Sequence, residues 1–385
     1  MSAASFRVFA VLSVLIVQSW LAGCGSGSQV ISCAAPVNGT CPIIPGPEFL
    51  YATSDRNGGQ ILTFSVDHQT GALSTPAAVP APTLVAGIAS AQHQFLYVSD
   101  ANNGVVDAFS INQTSGALTT VPGSPFSLGG NPPLEPLSLV AGTDLYATSL
   151  SGTTGFTIAS NGALTPVASS PYPGGANGQA ALGQANTTPI HYFLYATNLL
   201  DPNGAISAFT IDPASGILTA VPGNFNTGPS SGPDGIVFDG TLGPFVFVAL
   251  NTADAVAAFS VDPATGALTP VPGSPFAAGI SPAFLALSAG QDFLYAMNFS
   301  DRSLSGYSIA SSGALTQVPG SPFILPDTPG DIVATGDNFL YVTLPNANSI
   351  LGFSIAANGS LSAIAGSPFS AGGPAFLTTV QIPPP

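Results

Sequence analysis

The chain has little with which to do chemistry. Its 385 residues include three histidines, three arginines, three cysteines and eighteen carboxylates, and no lysine. The histidines are His68, His93 and His191, and the arginines are Arg7, Arg56 and Arg302. Carboxylates can serve as general acids or bases, or as oxygen ligands for a hard cation. An arginine can orient a polar substrate through paired N–H donors. The candidates for such work are Arg56, Arg302, Glu135, Asp234 and Asp331. One nucleophile motif matches by letter: Gly228-Pro229-Ser230-Ser231-Gly232 fits G-x-S-x-G. A nucleophile elbow needs a strand before it, a helix after it and a histidine nearby, and this stretch has none of them.

The elements that must position these side chains are written in a repeat. Tyr51, Tyr97, Tyr146, Tyr195, Phe247, Tyr295 and Tyr341 fall in register, spaced by 46, 49, 49, 52, 48 and 46 residues. Leu73, Leu118, Leu164, Leu218, Leu268, Leu315 and Leu361 mark a second motif, G-x-L-[ST]. A third series is Phe64, Phe109, Phe156, Phe209, Phe259, Tyr307 and Phe353. Each copy holds four short runs of β-branched and aromatic residues separated by turn residues. In the sixth copy these are strand a near Ala283–Ser288, b at Phe293–Met297, c at Leu304–Ile309 and d at Ala314–Val318. Gly320-Ser321-Pro322-Phe323 is read as the end of d, because proline cannot donate to a strand ladder. Asp-Pro-x-[Ser/Thr]-Gly, as at Asp212–Gly216, suits the c–d turn. Seven copies of four antiparallel strands predict an all-β fold, a seven-bladed β-propeller. No helical period appears, and the single Trp, Trp20, lies in the N-terminal segment, so the WD signature is absent. The first copy starts at strand b, and Pro374–Val380 mirrors strand a of the sixth copy. Blade 1 is therefore expected to take its strand a from the C-terminus, which hides both open edges.

Propeller topology then sorts the loops. The b–c and d–a loops share one face, where ligands are expected, and the a–b and c–d turns share the other. Arg56 and Arg302 fall in b–c loops of blades 1 and 6, where an ion pair with Asp55 or Asp301 competes with a substrate-orienting role. Glu135, Asp234 and Asp331 open strand a of blades 3, 5 and 7, nearest the axis. Asp55, Asp100, Asp201, Asp254 and Asp301 lie in b–c loops. These acids read either as a solubilising surface or as a divalent-cation site whose metal would polarise a carbonyl. No cofactor is required by the sequence. His93 and His191 (a–b turns) and His68 (c–d turn) fall on the opposite face and read as solvated turn residues.

The N-terminus reads as a targeting segment. Arg7 precedes an apolar run from Val8 to Trp20, and Leu21-Ala22-Gly23-Cys24 resembles a bacterial lipobox. The expected layout is a signal peptide over 1–23, a tether lipidated at Cys24 over 24–47, and a propeller over 48–385. Cys33 and Cys41 would then form a disulfide in the tether. The apolar run is too short to span a bilayer, so membrane attachment is expected only through the lipid, in the cell envelope. Losing Arg7 leaves a net charge of about −16. Such a chain is not expected to bind nucleic acid, whose affinity comes from cations on phosphates.

The seven copies, the Tyr195-Ala196-Thr197-Asn198 strand and the G-x-L-[ST] turn resemble the lactonase family of seven-bladed propellers, which includes 6-phosphogluconolactonases and is close to YVTN-repeat surface proteins. The resemblance covers about 48–385 and implies opening or closing of a lactone ring at the mouth of the central channel. No local motif carries the family's catalytic positions over to this chain. Two readings result. One is an envelope lipoprotein, a monomer, that hydrolyses a neutral lactone. The other is a non-catalytic surface propeller that binds a protein or polysaccharide.

Overall fold

The computed structural model describes residues 46–384 apart from 83–84, 129–137, 150–151, 175–177, 186 and 242. Cys24, Cys33, Cys41 and Glu135 lie outside the described residues. The seven-bladed propeller is present, with a single 3-10 turn at Arg56–Gly58 as helix among the described residues. In blade 6 the strands are Pro282–Leu287 (a), Phe293–Asn298 (b), Ser303–Ile309 (c) and Leu315–Gln317 (d), hydrogen-bonded in that order and antiparallel throughout. Each strand a packs against the strands a of its two neighbours, including blade 7 against blade 1, so these strands line the axis of a closed ring.

Strand b explains the regular tyrosine. Its side chains alternate between two neighbouring blades, so both faces are buried and the run reads as almost continuously apolar. Leu50 and Ala52 enter the cluster shared with blade 7, whereas Phe49 and Tyr51 enter the one shared with blade 2. Seven hydrophobic clusters result, one at each blade junction. The tyrosine hydroxyl reaches across each junction. It donates to the carbonyl of the c–d turn glycine of the next blade: Tyr51 to Gly116, Tyr97 to Gly162, Tyr146 to Gly216, Tyr195 to Gly266, Tyr295 to Gly359 and Tyr341 to Gly71, at 2.6–3.0 Å. The last of these closes the ring. Phe247 leaves the junction between blades 5 and 6 without this bond.

The C-terminal strand Pro374–Gln381 pairs antiparallel with Glu48–Ser54, as Phe49 with Val380 and Tyr51 with Thr378, and supplies strand a of blade 1. Further bonds tie it into the ring. Leu377 N–H donates to Asp331 at 2.7 Å, Thr343 Oγ1 donates to Ala375 O at 2.9 Å, and Phe376 N–H donates to Thr53 Oγ1 at 3.1 Å.

The Gly-Ser-Pro-Phe exits do more than end strand d. In four blades with this motif, and in blade 4 where the exit reads Gly223-Asn224-Phe225, the chain turns back, and two residues beginning at Phe126, Phe225, Phe276, Phe323 or Phe369 pair with the start of strand c. The serine hydroxyl of the motif meanwhile accepts a mid-strand N–H of c, as Ser124 does from Ala108 and Ser321 from Gly306. Proline's missing donor costs nothing here, since the serine and the returning phenylalanine occupy strand c on either side of it.

Candidate active site at the channel mouth

The structure separates the five candidate residues. Asp331 is buried, and both its oxygens are engaged: Oδ1 accepts from Ile332 N–H and Oδ2 from Leu377 N–H, each at 2.7 Å. Burial pushes its carboxyl up to about 7 against the pull of these two bonds. Asp331 thus ties blade 7, at Ile332, to the closing strand, at Leu377, through both carboxylate oxygens. Phe284 and Phe376 lie at matching register positions of strand a in blades 6 and 1, each at an irregularity of the ladder. Their rings meet with centroids 6.3 Å apart. Blades 6 and 1 flank blade 7, so the pair meets across it.

Asp234 has the opposite fate. It sits at the mouth end of strand a in blade 5, only partly exposed. Its backbone carbonyl accepts from Thr197 Oγ1 and Gln179 N–H. Its carboxylate takes no hydrogen bond among the described residues, and burial alone pushes it up to about 7. The next residue, Gly235, lets strand a of blade 6 come close: a Cβ there would stand 2.3 Å from Ala283 O. Any larger residue would push the two inner strands apart at the mouth.

The acids of the b–c loops are loop staples. Asp254 Oδ1 accepts from Ser281 N–H at 2.9 Å and Asp301 Oδ2 from Ile280 N–H at 2.9 Å, tying b–c loops to the d–a loop between blades 5 and 6. Asp100 caps its own loop through Asn102 and Asn103, and Asp201 does so through Asn203. Asp55 accepts weakly from Val85 N–H at 3.5 Å. These bonds hold the rim in place. The face brings no three acidic or histidine side chains together among the described residues.

Both arginines are exposed on this face, and neither forms an ion pair among the described residues. The pairing with Asp55 or Asp301 expected as their default use is therefore absent. Arg56 lies across the d–a loop that leads into the closing strand, where a Cβ on Gly373 would stand 2.5 Å from its Nε. Arg302 holds a left-handed backbone, φ 53°, with its carbonyl accepting from Leu325 N–H. The Ser230-Ser231 segment lacks the setting of a nucleophile elbow: the motif's serine, Ser230, is exposed in a d–a loop with no helix after it, and the neighbouring Ser231 Oγ bonds to Gly228 O and Thr227 Oγ1. The cleft at the outer edge of blade 4, lined by Pro173, Ile206, Phe209 and Phe225 among others, holds no ionisable group.

The histidines lie on the other face, as their turn positions require. His93 is an exposed turn residue. His191 Nδ1 lies 3.0 Å from Thr187 Oγ1 and 3.1 Å from Pro263 O. His68 departs from its reading as a solvated turn residue. Its Nδ1 pairs with Asp337, in the a–b turn of blade 7, and Nε2 bonds to Gly46 O at 3.0 Å. Glu48 completes this group. The signal for it was a break in the repeat: His68 stands where blades 4 and 5 carry Pro213 and Pro263.

Comparison with known proteins agrees with this architecture. A family model described as "Lactonase, 7-bladed beta-propeller" matches residues 48–134 and 150–275, together more than half of the chain. No curated protein sequence matches. Among solved structures, the periplasmic gluconolactonase of Pseudomonas aeruginosa superposes with a TM-score of 0.71 at 19% identity, covering 88% of this chain and 100% of that one. A protein of Bacteroides uniformis assigned as a 6-phosphogluconolactonase gives 0.70 at 18% identity, over 88% and 100%. One of Bacteroides fragilis with the same assignment gives 0.68 at 19% identity, over 87% and 98%. At such identities these likenesses concern the fold. The family model carries the assignment: the chain belongs to the lactonase family of seven-bladed β-propellers.

Proposed function

We propose that the chain hydrolyses a neutral lactone at the channel mouth, with Asp234 as general base toward the attacking water. The observation that carries this is Asp234 itself. Among the described residues its carboxylate takes no hydrogen bond, and it stands at the mouth end of an axial strand, poised near neutrality by burial. Family membership supports the reaction type, and the unpaired Arg56 and Arg302 are the available partners for the lactone's oxygens. Asp234→Asn should lower kcat by about 10²–10⁴. Wild-type kcat/KM should rise with pH through about 7, because the base works deprotonated. Unaltered hydrolysis and an unaltered pH profile in Asp234→Asn would sink the assignment. The ligand is read as neutral because two arginines face at least seven described carboxylates. A phosphate dianion about 6 Å from one unpaired carboxylate is repelled by roughly 1.4 kcal/mol even at water-like dielectric. Efficient turnover of a phosphorylated lactone, abolished by Arg56→Ala or Arg302→Ala, would overturn that part.

A second reading, a propeller that binds an envelope protein or polysaccharide without catalysis, is favoured by the exposed Ile280 and Phe299 on adjacent loops of this face. It gains if a lactone panel shows no turnover while Phe299→Ala abolishes binding to cell-envelope material. Either activity is placed in the envelope, the protein lipidated at Cys24. The lipobox-like Leu21–Cys24 supports this, as does the likeness to a periplasmic gluconolactonase. Cys24→Ser should release the protein from the membrane fraction; retention there would argue against the anchor.

A further inference from the structure

On the face opposite the channel mouth, at the seam between blades 7 and 1, three side chains from three separate segments converge. Glu48 is the first residue of strand b in blade 1, His68 lies in the c–d turn of the same blade, and Asp337 lies in the a–b turn of blade 7. One ligand-type atom from each, an imidazole nitrogen and two carboxylate oxygens, lies within 4.8 Å of the others. Glu48 is 2% exposed. Among the described residues its Oε1 has only a long contact of 3.4 Å from Gly336 N–H, and its Oε2 has no partner. A buried carboxylate oxygen with nothing to bond is costly to keep, and it belongs to a residue of this group.

We propose that Glu48, His68 and Asp337 form a binding site for a divalent cation of the zinc class, which clamps the ring seam. The donor set argues for the class. One imidazole with two carboxylates suits zinc and its neighbours, whereas calcium and magnesium favour oxygen ligands alone. The histidine is held for the task. Its Nε2–H donates to Gly46 O at 3.0 Å, which directs Nδ1 toward the carboxylates, the outer-shell bond that metal-bound imidazoles ordinarily make. The site is reachable, since the side chains of His68 and Asp337 are 25% and 24% exposed, and this open side leaves room for a water as fourth ligand. The ion would link residues 269 positions apart, beside the one blade whose strands a and b come from opposite ends of the chain and are not joined by an a–b turn. It would therefore bind the closed ring and not the unfolded chain.

The test is a zinc titration of chelator-stripped full-length protein by calorimetry, with thermal melts alongside, repeated with calcium. One zinc equivalent should bind, and a hundredfold excess over Kd should raise the melting midpoint by about 4 °C. The affinity should fall at least tenfold in Asp337→Asn and in His68→Gln, which alter partly exposed turn positions and leave the fold intact, so that the same zinc concentration raises their midpoints by about half as much or less. No zinc binding would overturn the proposal, as would binding of equal strength in both variants, which would place the metal elsewhere. Calcium binding as tight as zinc would overturn the assigned class.

Discussion

Restoring the missing tyrosine between blades 5 and 6 tests what holds the ring together. Six junctions carry a hydroxyl-to-glycine bond; at the seventh, Phe247 faces the turn at Gly313, whose carbonyl receives no hydrogen bond among the described residues. The surroundings match those of the other turns. Phe245 packs where a Cβ on Gly313 would be, as Phe193 does at Gly266 and Phe293 at Gly359. The hydroxyl of Phe247→Tyr should therefore fall within about 3 Å of Gly313 O, the distance found at the other junctions. A buried hydrogen bond nets about 0.5–1.5 kcal/mol, and relieving an unpaired carbonyl raises that to about 2. Unfolding entropy near 2.1 cal/mol/K per residue over this chain makes 1 kcal/mol worth about 1–2 °C. Phe247→Tyr should thus raise the melting midpoint by roughly 1–3 °C. Tyr295→Phe should lower it by a similar amount, leaving Gly359 O unpaired, and the double variant should return near wild type. Paired thermal and urea melts provide the assay. If Tyr295→Phe destabilises while Phe247→Tyr leaves the midpoint unchanged or lower, the hydroxyls are not an interchangeable junction element and the reasoning fails.

Deleting residues 372–385 should leave blade 1 without its axial strand, with loss of cooperative unfolding and onset of aggregation; an unaltered melt would refute the closing role of Pro374–Gln381. Stability should fall as pH rises from 5 to 8. The carboxyls of Asp331 and Asp234 are raised from 3.8 to about 7, so over that window the folded state keeps protons that the unfolded chain releases. For Asp331 the loss across that window is about 3 kcal/mol, out of about 4 over the whole span from 3.8 to 7. Asp331→Asn should flatten the dependence of the melting midpoint on pH, and a wild-type midpoint that climbs from pH 5 to 8 would contradict the argument.

The architecture is legible because each blade must bury both faces of strand b, which prints the same alternating apolar run seven times. Even the closing strand shows, since Pro374–Val380 has to satisfy the same neighbours as Pro282–Ser288. The site is legible only as a set of positions. Asp234 and Asp331 look alike in sequence, and what separates them is Leu377 N–H, 46 residues beyond Asp331 and delivered by ring closure. The b–c loop acids read as surface or metal ligands, yet they serve as acceptors for backbone donors such as Ser281 and Ile280, whose orientation no composition reveals. The role of His68 is hidden because its partner Asp337 lies 269 residues away along the chain. The Gly-Ser-Pro-Phe exit is half legible: proline's lack of a donor ends strand d, but the return of phenylalanine to strand c follows from a turn geometry that the four letters do not state.

The late arrival of the closing strand has a consequence for biosynthesis. Strand Glu48–Ser54 is among the first parts of the propeller to be made, and its axial neighbour, Pro374–Gln381, is the last. At about 5–20 residues per second, roughly 15–70 s of translation pass before the two can pair. Throughout that interval every finished blade can stack on its predecessor, while the inner edge of blade 1 stays bare and apolar. A nascent chain in that state is a template for any stray strand, including the same strand of a sister chain on the next ribosome. A chain made for export would also carry this open edge to the translocation machinery. Its solubility before release would then rest on holding proteins rather than on its own fold.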